Sequence, residues 1–490
     1  MRAHPHFRYE EVANLIAGLI DSGTLNPGSR APSLRDISKR QHVSLSTALQ
    51  AYRLLEDRGV LEARPRSGHY VARRTAIHLA TPTISDPPGK ARPVAISATL
   101  SRLQQYSVDP RLVPLGGAIP NPELLAAARL DRFLARAARI KGTTYNTYTV
   151  PKGDPQLRVE IARRALRWGA TLSPEDVVIT SGCMEAVTLA LSIVTRPGDT
   201  VAIESPTYFG LLRSLEALGL KVFELPTDAT DGIDLSALKR VLERRSVKAC
   251  LFASNFNNPL GYTMPPEKKL KVLSLLARHR VPLIEDDING DIYFGPERPI
   301  PFTALDRNAN TVIYCSSFSK TVAPGYRIGW MATTAQAHLQ RALERKLACT
   351  LSGPPLLQVA FAEFLSSGGY DNHLRRIRRV FEDTIGQVSR AVERSFPEGT
   401  KVSRPAGGFV LWLELPKSVS TAALFDEALK NGIYFVPGDL FSVSGRYDHC
   451  LRLSCGHGWN ERIEKGVKKL GRLASASAAR SVKASFNKFC

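Results

Sequence analysis

Hydrophobic residues recur at the spacing of an α-helix in the first part of the chain. Between Phe7 and Ser22 they stand three or four positions apart, at Val12, Leu15, Ile16, Leu19 and Ile20. This period predicts an amphipathic helix. Gly23 follows it and predicts its end, because glycine readily takes the left-handed conformation that closes helices.

Two more short helices are predicted from the same pattern. One covers LRDISKRQ after Pro32 and Ser33, and the next follows a turn, with Ser44 or Ser46 as its N-cap. In this third helix the residues predicted to face inward are Ala48, Ala51, Tyr52 and Leu55.

Two short segments with apolar residues in the pattern of β-strands then follow. They run from Val60 to Ala63 and from His69 to Ala72, joined by the basic turn RPRSG. Three helices followed by a two-stranded wing form the plan of a winged helix-turn-helix. In such a module the third helix enters the DNA major groove and the wing reaches phosphates or the minor groove.

Beyond this module the pattern changes twice. Residues 73–93 carry prolines and basic residues without an apolar period, which predicts a linker. From about Ala95, apolar runs such as VVIT, VAIE, ACLFAS and PLIEDD alternate with helical stretches. This alternation predicts a mostly parallel sheet with helices on both faces and with sites at the carboxyl ends of the strands.

The predicted organisation therefore has four parts. Residues 1–74 form the winged helix-turn-helix (α+β), 75–94 the linker and 95–473 an α/β domain with a small C-terminal α+β subdomain from about 353. Residues 474–490 are rich in Ala, Ser and basic residues and lack acids, so we expect a disordered tail.

Charge and composition predict a binding partner and a cellular compartment. The formal net charge is +21 over 490 residues, which favours a polyanion such as double-stranded DNA. No apolar run is long enough to span a bilayer, so we expect a cytoplasmic protein without a membrane partner. Seven cysteines indicate reduced thiols. No metal site is predicted, because Cys450 and Cys455 would face opposite sides of one strand.

One lysine stands in a segment suited to cofactor chemistry. Residues 315–330 read CSSFSKTVAPGYRIGW and place Lys320 between small hydroxyl residues and Arg327. A partly desolvated lysine amine near another cation can form a Schiff base with an aldehyde cofactor, of which pyridoxal 5'-phosphate is the usual one. Ser317 and Ser319 can donate to phosphate oxygens, and Arg327 matches a phosphate dianion.

Four other segments fit the same cofactor. The turn TSGCM offers free backbone N–H groups at a strand-to-helix junction, as phosphate sites do. Tyr208 can stack on a pyridine ring, Asn258 in NPLG can reach the ring hydroxyl, and Asp286 in LIEDDING can pair with the ring nitrogen.

Residues 9–72 resemble the DNA-binding domain of GntR-type regulators through NPGSRAPSLRDIS and VSLSTALQAYRLLEDRGVLEARPRSGHYV. Leu45 stands where many relatives have a base-reading arginine. The resemblance implies DNA contacts from helix two, from the start of helix three and from the wing: Arg35, Ser44, Leu45, Ser46, Thr47, Arg64, Arg66 and Gly68.

Residues from about Leu115 to Trp459 resemble fold type I aminotransferases through LGGAIPNPE, YTVPKGDPQLR, TSGCMEA, NPLG, EDD, SSFSK and LRLS. The resemblance implies that Lys320 forms the internal aldimine and that Arg452 binds a substrate carboxylate. It also implies that Tyr148 contacts the cofactor phosphate of the partner subunit across a homodimer interface. The remaining cofactor-binding residues that it implies are Asp286, Asn258, Tyr208, Gly182, Cys183, Ser317, Ser319 and Arg327.

One position departs from the aminotransferase pattern. Relatives often have a tyrosine three residues after the aspartate, and this chain has Asn289. The hydrogen bond to the ring oxygen is therefore changed. We expect slower catalysis with the cofactor still bound.

A winged helix ahead of an aminotransferase-like domain resembles the MocR subfamily of GntR regulators over nearly the whole chain. The resemblance implies a dimeric transcription regulator that senses an amino acid, an amine or the vitamin B6 cofactor through aldimine exchange at Lys320. The alternative is an aminotransferase with an appended DNA-binding head, since Lys320, Asp286 and Arg452 are all present. A third interpretation, DNA binding with a cofactor-free fold, is disfavoured by the intact lysine and aspartate.

Overall fold

A computed structural model places the chain in two compact units, Met1–His78 and Leu79–Cys490. The structure describes residues 8–26, 28–57, 60–64, 67–71, 79–96, 103, 105–107, 109–141, 147–306 and 311–486.

The first unit has the predicted helical plan. Its helices are α1 (Arg8–Asp21), α2 (Leu34–Arg40) and α3 (Leu45–Asp57). Ser33 caps α2, because its side chain accepts a hydrogen bond from the Asp36 N–H. The predicted inward face of α3 is confirmed, since four of its side chains are fully buried: Ala48, Ala51, Tyr52 and Leu55.

The wing is a two-stranded antiparallel sheet of β1 (Leu61–Arg64) and β2 (Gly68–Val71). Strand β1 lies one residue later in the chain than predicted, and β2 lies one residue earlier. The pairing of Leu61 with Val71 sets this register. Both of these residues are buried against the helices, which explains why this register is favoured over its neighbours.

The second unit is built on a nine-stranded sheet. Its strands are β3 (Arg92–Pro93), β5 (Val177–Thr180), β6 (Thr200–Ser205), β7 (Lys221–Asp228), β8 (Gly232–Ile233), β9 (Ala249–Phe252), β10 (Leu283–Asp286), β11 (Val312–Ser317) and β12 (Gly329–Ala332). Strand β4 (Val113–Pro114) belongs to a separate pair described below.

The sheet is mostly parallel, as predicted. Along the order β7-β6-β9-β10-β11 every pairing is parallel, while β12 runs antiparallel between β11 and β5. Strands β5, β9, β10 and β11 are buried at every position, which matches a sheet covered on both faces and explains their continuous apolar runs. The carboxyl ends of β5, β6, β9, β10 and β11 therefore lie along one edge.

Helices cover the large sheet and make up much of the rest of the unit. They are α4 (Ala127–Lys141), α5 (Pro155–Arg167), α6 (Cys183–Val194), α7 (Phe209–Ala217), α8 (Leu235–Glu243), α9 (Pro266–His279), α10 (Phe302–Leu305), α11 (Gln336–Thr350), α12 (Pro355–Ser366), α13 (Gly369–Ser395), α14 (Thr421–Lys430) and α15 (Glu461–Phe486). None of the helices within the described ranges has the length and apolar character needed to cross a membrane.

The C-terminal part contains a smaller sheet. Its order is β13 (Lys401–Val402), β14 (Val410–Glu414), β17 (Cys450–Ser454) and β16 (Val436–Pro437). A separate parallel pair joins β15 (Ile433–Tyr434) to β4. The segment just before residue 116 is thereby held beside the smaller sheet.

The expected disordered tail from residue 474 is corrected by the last helix, which continues to Phe486. Leu470 and Ala474 are fully buried, so the helix packs on the core at the point where the tail was expected to begin. Alanine, lysine and arginine are strong helix formers, and this packing lets their propensity take effect. Residues 487–490 lie outside the described ranges.

Candidate functional site

Lys320 lies where the sequence predicts a site, just beyond the carboxyl end of β11. Its amine donates a 2.7 Å hydrogen bond to the backbone carbonyl of Ala118. Among the described residues no ion pair uses this amine. Burial, together with the neighbouring Arg452 cation, lowers the pKa of Lys320 to about 8. The amine is thus easier to deprotonate than an exposed lysine.

Asp286 ends β10 and lines the same cavity as Lys320. One of its oxygens accepts hydrogen bonds from the Ile288 N–H at 3.2 Å and the Cys183 thiol at 3.3 Å. Burial raises the pKa of this carboxyl to about 6. A buried carboxylate that has no ion pair within the described ranges is suited to hold a protonated ring nitrogen.

The predicted phosphate end forms at the N-terminus of α6. Gly182 is the N-cap, with φ +84° and no side-chain cap, so backbone N–H groups of the first turn are available to an anion. Arg327 donates to the Ser319 hydroxyl at 3.4 Å and to the Ser181 carbonyl at 2.7 Å. A Cβ at Gly182 would collide with the Arg327 guanidinium, so glycine is required for this approach.

Ser317 differs from its predicted place. It is buried next to the cavity that Lys320 lines but is not on its wall. Its hydroxyl donates to the Ser319 hydroxyl at 2.7 Å and accepts from the Ser319 N–H at 2.9 Å. Ser317 therefore orients Ser319, and Ser319 is the hydroxyl that faces the cavity.

The ring-facing candidates Tyr208 and Asn258 both line the cavity. The Asn258 side-chain oxygen already accepts a 3.1 Å hydrogen bond from Arg452. Asn289 also lines the cavity, and its amide donates to the Phe256 carbonyl at 3.1 Å. The residue that replaces the usual tyrosine is thus tied to the backbone.

Arg452 lies on β17 with 1% of its surface exposed. Besides Asn258, its guanidinium donates to the carbonyl of Gly116. Its Nε is buried and has no partner within the described part of the chain. Burial lowers the pKa of Arg452 to about 10, so it remains a cation at neutral pH. An orphaned donor on a buried cation marks a place for an anionic ligand.

Most of these groups surround one cavity of about 200 Å³. It brings together seven of the predicted residues: Cys183, Tyr208, Asn258, Asp286, Ser319, Lys320 and Arg327. A buried amine at one side, a buried carboxylate at another and an arginine beside an uncapped helix N-terminus match the aldehyde, ring nitrogen and phosphate of pyridoxal phosphate. The residues present therefore fit this cofactor.

Tyr148 is not part of this cavity. It is 87% exposed, and its predicted role concerns a partner subunit. It stays a prediction.

Three contributors have no predicted role from sequence. The carbonyls of Gly116 and Ala118 anchor Arg452 and Lys320. Their segment, LGGAIP, resembles aminotransferases, but backbone acceptors leave no signature in residue type. Glu204 is the third; it does not line the cavity, but its buried carboxylate accepts hydrogen bonds from the N–H of Ala253, which does, and from the Asn257 amide, at 3.0 and 2.9 Å. An acid inside the apolar run TVAIES is the signal that could have found it.

Cys450 and Cys455 are both buried thiols. No cluster of His, Cys, Asp or Glu side chains within the described ranges is placed to hold a metal ion.

In the first unit, the start of α3 presents the predicted DNA-facing residues. Ser44, Leu45 and Ser46 are exposed, and Thr47 is half-buried. Ser44 is the N-cap, since its hydroxyl accepts a 3.0 Å hydrogen bond from the Thr47 N–H. Leu45, which is 51% exposed, offers an apolar surface at the tip of the helix.

The wing and α2 present basic residues. Arg35 is exposed on α2. Arg64 pairs with Glu62 and lies 4.2 Å from the centre of the Tyr70 ring, which holds its side chain along the strand. Gly68 has φ +97°, a conformation that glycine adopts freely. Arg66 lies outside the described residues.

Comparisons with family models divide the chain in the same way. Residues 8–71 match bacterial regulatory proteins of the gntR family. Residues 121–470 match aminotransferase class I and II.

Two similar relatives extend over nearly the full length. The uncharacterized HTH-type transcriptional regulator YdcR of Escherichia coli is 39% identical over 95% of this chain and 98% of its own. The uncharacterized HTH-type transcriptional regulator YjiR of the same organism is 36% identical, with the same coverage. A third relative, 2-aminoadipate transaminase of Thermus thermophilus, is 32% identical over 77% of this chain and 93% of its own.

A solved structure matches the second unit. It is the α-aminoadipate aminotransferase LysN of Thermus thermophilus, complexed with N-(5'-phosphopyridoxyl)-L-leucine. The match has a TM-score of 0.72 and 30% identity, and covers 78% of this chain and 98% of that one. The fold type I aminotransferase architecture is thereby confirmed.

Proposed function

Because the chain belongs to the MocR subfamily of GntR-type transcription regulators, we propose that it regulates transcription in response to an amino compound that reaches a cofactor at Lys320. The single observation that carries this proposal is the presence in one chain of two candidate sites. One is an exposed N-terminus of α3 beside a wing, and the other is a buried amine that shares a cavity with Asp286.

The cofactor would be held by the residues that surround the cavity. Lys320 would bind the aldehyde carbon, Asp286 the ring nitrogen and Tyr208 the ring face. Ser319, Arg327 and the first turn of α6 would bind the phosphate. When bound, pyridoxal phosphate supplies an aldehyde that condenses with primary amines. The lowered pKa of Lys320 supports this role, since a neutral amine is the nucleophile.

The effector would be an amino acid or a related amine. A primary amino group would compete with Lys320 for the cofactor. Arg452 would bind a carboxylate with its unpaired Nε and the adjoining N–H groups. Because Arg452 also bonds to Asn258, occupation by a carboxylate would be felt at the cofactor ring.

DNA recognition would use a homodimer. Two copies would present two α3 helices to successive half-sites, so the spacing of the two DNA-binding units in the dimer would decide affinity for an operator. Tyr148, highly exposed in one chain, would contact the cofactor phosphate of its partner. Exchange of the Lys320 link for an amino-compound link would change that spacing through the small subdomain.

A second candidate is an aminotransferase with a DNA-binding head. The intact set of Lys320, Asp286 and Arg452 favours it, since these residues support cofactor chemistry. Asn289 disfavours rapid turnover, because its amide is bonded to Phe256 and its side chain lacks a hydroxyl. Steady turnover of an amino donor and a 2-oxo acid at the usual rate of metabolic enzymes would support this candidate over the regulator.

A DNA-binding titration tests the proposal. The cofactor-loaded full chain is titrated with the region upstream of its own gene and with scrambled DNA, at several salt concentrations. Saturable, sequence-selective binding is expected. Equal affinity for both DNAs at every salt concentration would leave only a polyanion effect of the +21 charge and would overturn the proposal.

A matched pair of variants sharpens this test. Ser46→Glu adds a negative charge to the exposed second position of α3, where DNA phosphates and bases would lie. Ser236→Glu adds the same charge to the exposed second position of α8, in the other unit. Selective binding should be lost in the first variant and kept in the second.

A further inference from the structure

A second cavity opens from the lysine site. It has a volume of about 520 Å³ and shares Lys320, Tyr208, Ala118 and Met184 with the cofactor cavity. Arg452 lies on its wall. A ligand whose amine meets Lys320 and whose carboxylate meets Arg452 would therefore place the rest of its body in this space.

One wall of this second cavity is a face of α7. Gly210, Arg213, Ser214 and Ala217 line it, and their spacing of three and four residues puts them on one side of the helix. A Cβ at Gly210 would collide with the Tyr208 ring, so the helix face is kept open next to that ring. Arg213 stands one turn further along the same face.

The charges of the lining residues are all of one sign. Lys320, Arg213 and Arg452 line the second cavity, and no Asp or Glu is among its described lining residues. A bound amino acid with one carboxylate would satisfy Arg452 alone. The remaining guanidinium would face the ligand without an anionic partner.

Arg213 is free to take that role. Its side chain is exposed, and none of the hydrogen bonds or ion pairs of the described residues uses it. Its helix is anchored elsewhere, because Ser214 accepts a 3.1 Å hydrogen bond from Thr188 on α6. Arg213 is thus a cation without an ion-pair partner among the described residues, carried by a helix that is held at the cavity wall.

We propose that Arg213 binds a second, distal anionic group of the ligand, so that the effector is an α-amino acid with an acidic side chain. This inference rests on the proposed function, because it assumes that an amino compound is the ligand of the Lys320 site. Arg452 would read the α-carboxylate and Arg213 the end of the side chain. The length of the ligand would then be set by the span between the two arginines.

Pairs of amino acids that differ only at the distal end provide the test. L-Glutamate is compared with L-norvaline, L-2-aminoadipate with L-norleucine, and L-2-aminopimelate with L-2-aminoheptanoate, which replaces each distal carboxylate by a methyl group. Binding to the cofactor-loaded chain is followed by the change in cofactor absorbance, and DNA affinity is measured in parallel. In at least one pair the acid should bind roughly five- to tenfold more tightly, as expected for a charge-assisted contact open to solvent.

Variants assign this preference to one residue. In Arg213→Gln the acidic and the neutral amino acid of each pair should bind about equally, because the acid loses affinity and the neutral amino acid does not. Arg213→Lys should keep part of the preference for the acid. Arg240→Gln, an exposed arginine on α8 away from the cavity, serves as the control and should keep the full preference.

The possible outcomes separate this inference from the proposed function. Equal affinities within all three pairs, or a preference that survives Arg213→Gln, would overturn the role of Arg213 while leaving the sensor proposal intact. An absorbance response without any change in DNA affinity would overturn the sensor proposal and keep the role of Arg213. No response to any of the six amino acids would overturn both.

Discussion

Arg452 donates a 3.1 Å hydrogen bond to the side-chain oxygen of Asn258. The residue suited to a ligand carboxylate is thus bonded directly to a residue that lines the cofactor cavity. Arg452 lies on β17 in the smaller sheet, whereas Asn258 follows β9 in the large sheet. This bond links the two sheets at the site, so a ligand on Arg452 would act directly on the contact between them.

Replacement of the lysine should abolish covalent attachment of the cofactor. Lys320 is the only lysine on the described wall of the cavity. In Lys320→Ala borohydride should no longer fix the cofactor covalently to the chain, while pyridoxal phosphate still binds non-covalently through Arg327 and Asp286. The mass of the denatured chain after reduction measures this. A variant that still carries the reduced cofactor covalently would show that another amine is used.

The lowered pKa of Lys320 predicts the pH dependence of cofactor attachment. With a pKa of about 8, about one tenth of the amines are neutral at pH 7, against about one in three thousand at the usual 10.5. The attachment rate of the cofactor-free protein should rise about tenfold per pH unit and level off above pH 8. Because the Asp286 charge raises the lysine pKa, Asp286→Asn should move this inflection to lower pH. An inflection near pH 10 would contradict the buried position of the amine.

Gly182 should be sensitive to a single methyl group. Gly182→Ala places a side chain at φ +84° and into the Arg327 guanidinium, so cofactor affinity should fall roughly tenfold or more. Gly198→Ala is the matched control, since it has φ +90° but nothing within 4 Å. It carries the same backbone cost without the collision. Equal cofactor affinity in the two variants would refute the close approach of Arg327.

Arg452 should decide which amino compounds are recognised. Arg452→Ala removes the buried guanidinium, so responses to carboxylate-bearing amino compounds should be lost. The cofactor is kept, because its proposed contacts lie on other residues. Titrations of absorbance with an amino acid and with the corresponding amine that lacks the carboxylate provide the measurement. If both compounds give the wild-type response, the assignment is wrong.

The wing should contribute phosphate contacts. Removing Arg64 and Arg66 together should weaken DNA binding for all sequences. It should reduce the slope of log affinity against log salt by about 0.9 for each lost contact. Arg64 would leave its Glu62 pair on binding, and breaking this pair offsets part of its contribution, so its removal should cost less affinity than removal of an unpaired arginine. Arg240→Ala serves as the charge control, and an unchanged slope in the double variant would refute the role of the wing.

Much of the fold follows from local patterns. Helical periods predict α1 and α3, and the four inward side chains of α3 are the residues that the spacing selects. The prediction of a disordered tail was wrong, because composition does not show that Leu470 and Ala474 are buried against parts of the fold that lie far away in the chain. The one-residue shifts of the wing strands have the same origin, since register depends on the partner strand.

The sequence by itself determined the chemistry that the chain can offer. Residue types and short motifs are local, so they identify Lys320, Asp286, Arg327 and Arg452 as candidates and the first helices as a DNA-binding module. Only the tertiary structure decided which of these groups meet. Three features depend on segments far apart in the chain. The Ala118 carbonyl accepts from Lys320, Ser319 rather than Ser317 lines the cofactor cavity, and Arg213 lies on the wall of a cavity that Lys320 also lines. Their proximity is set by the packing of the strands and helices, and no local pattern encodes it.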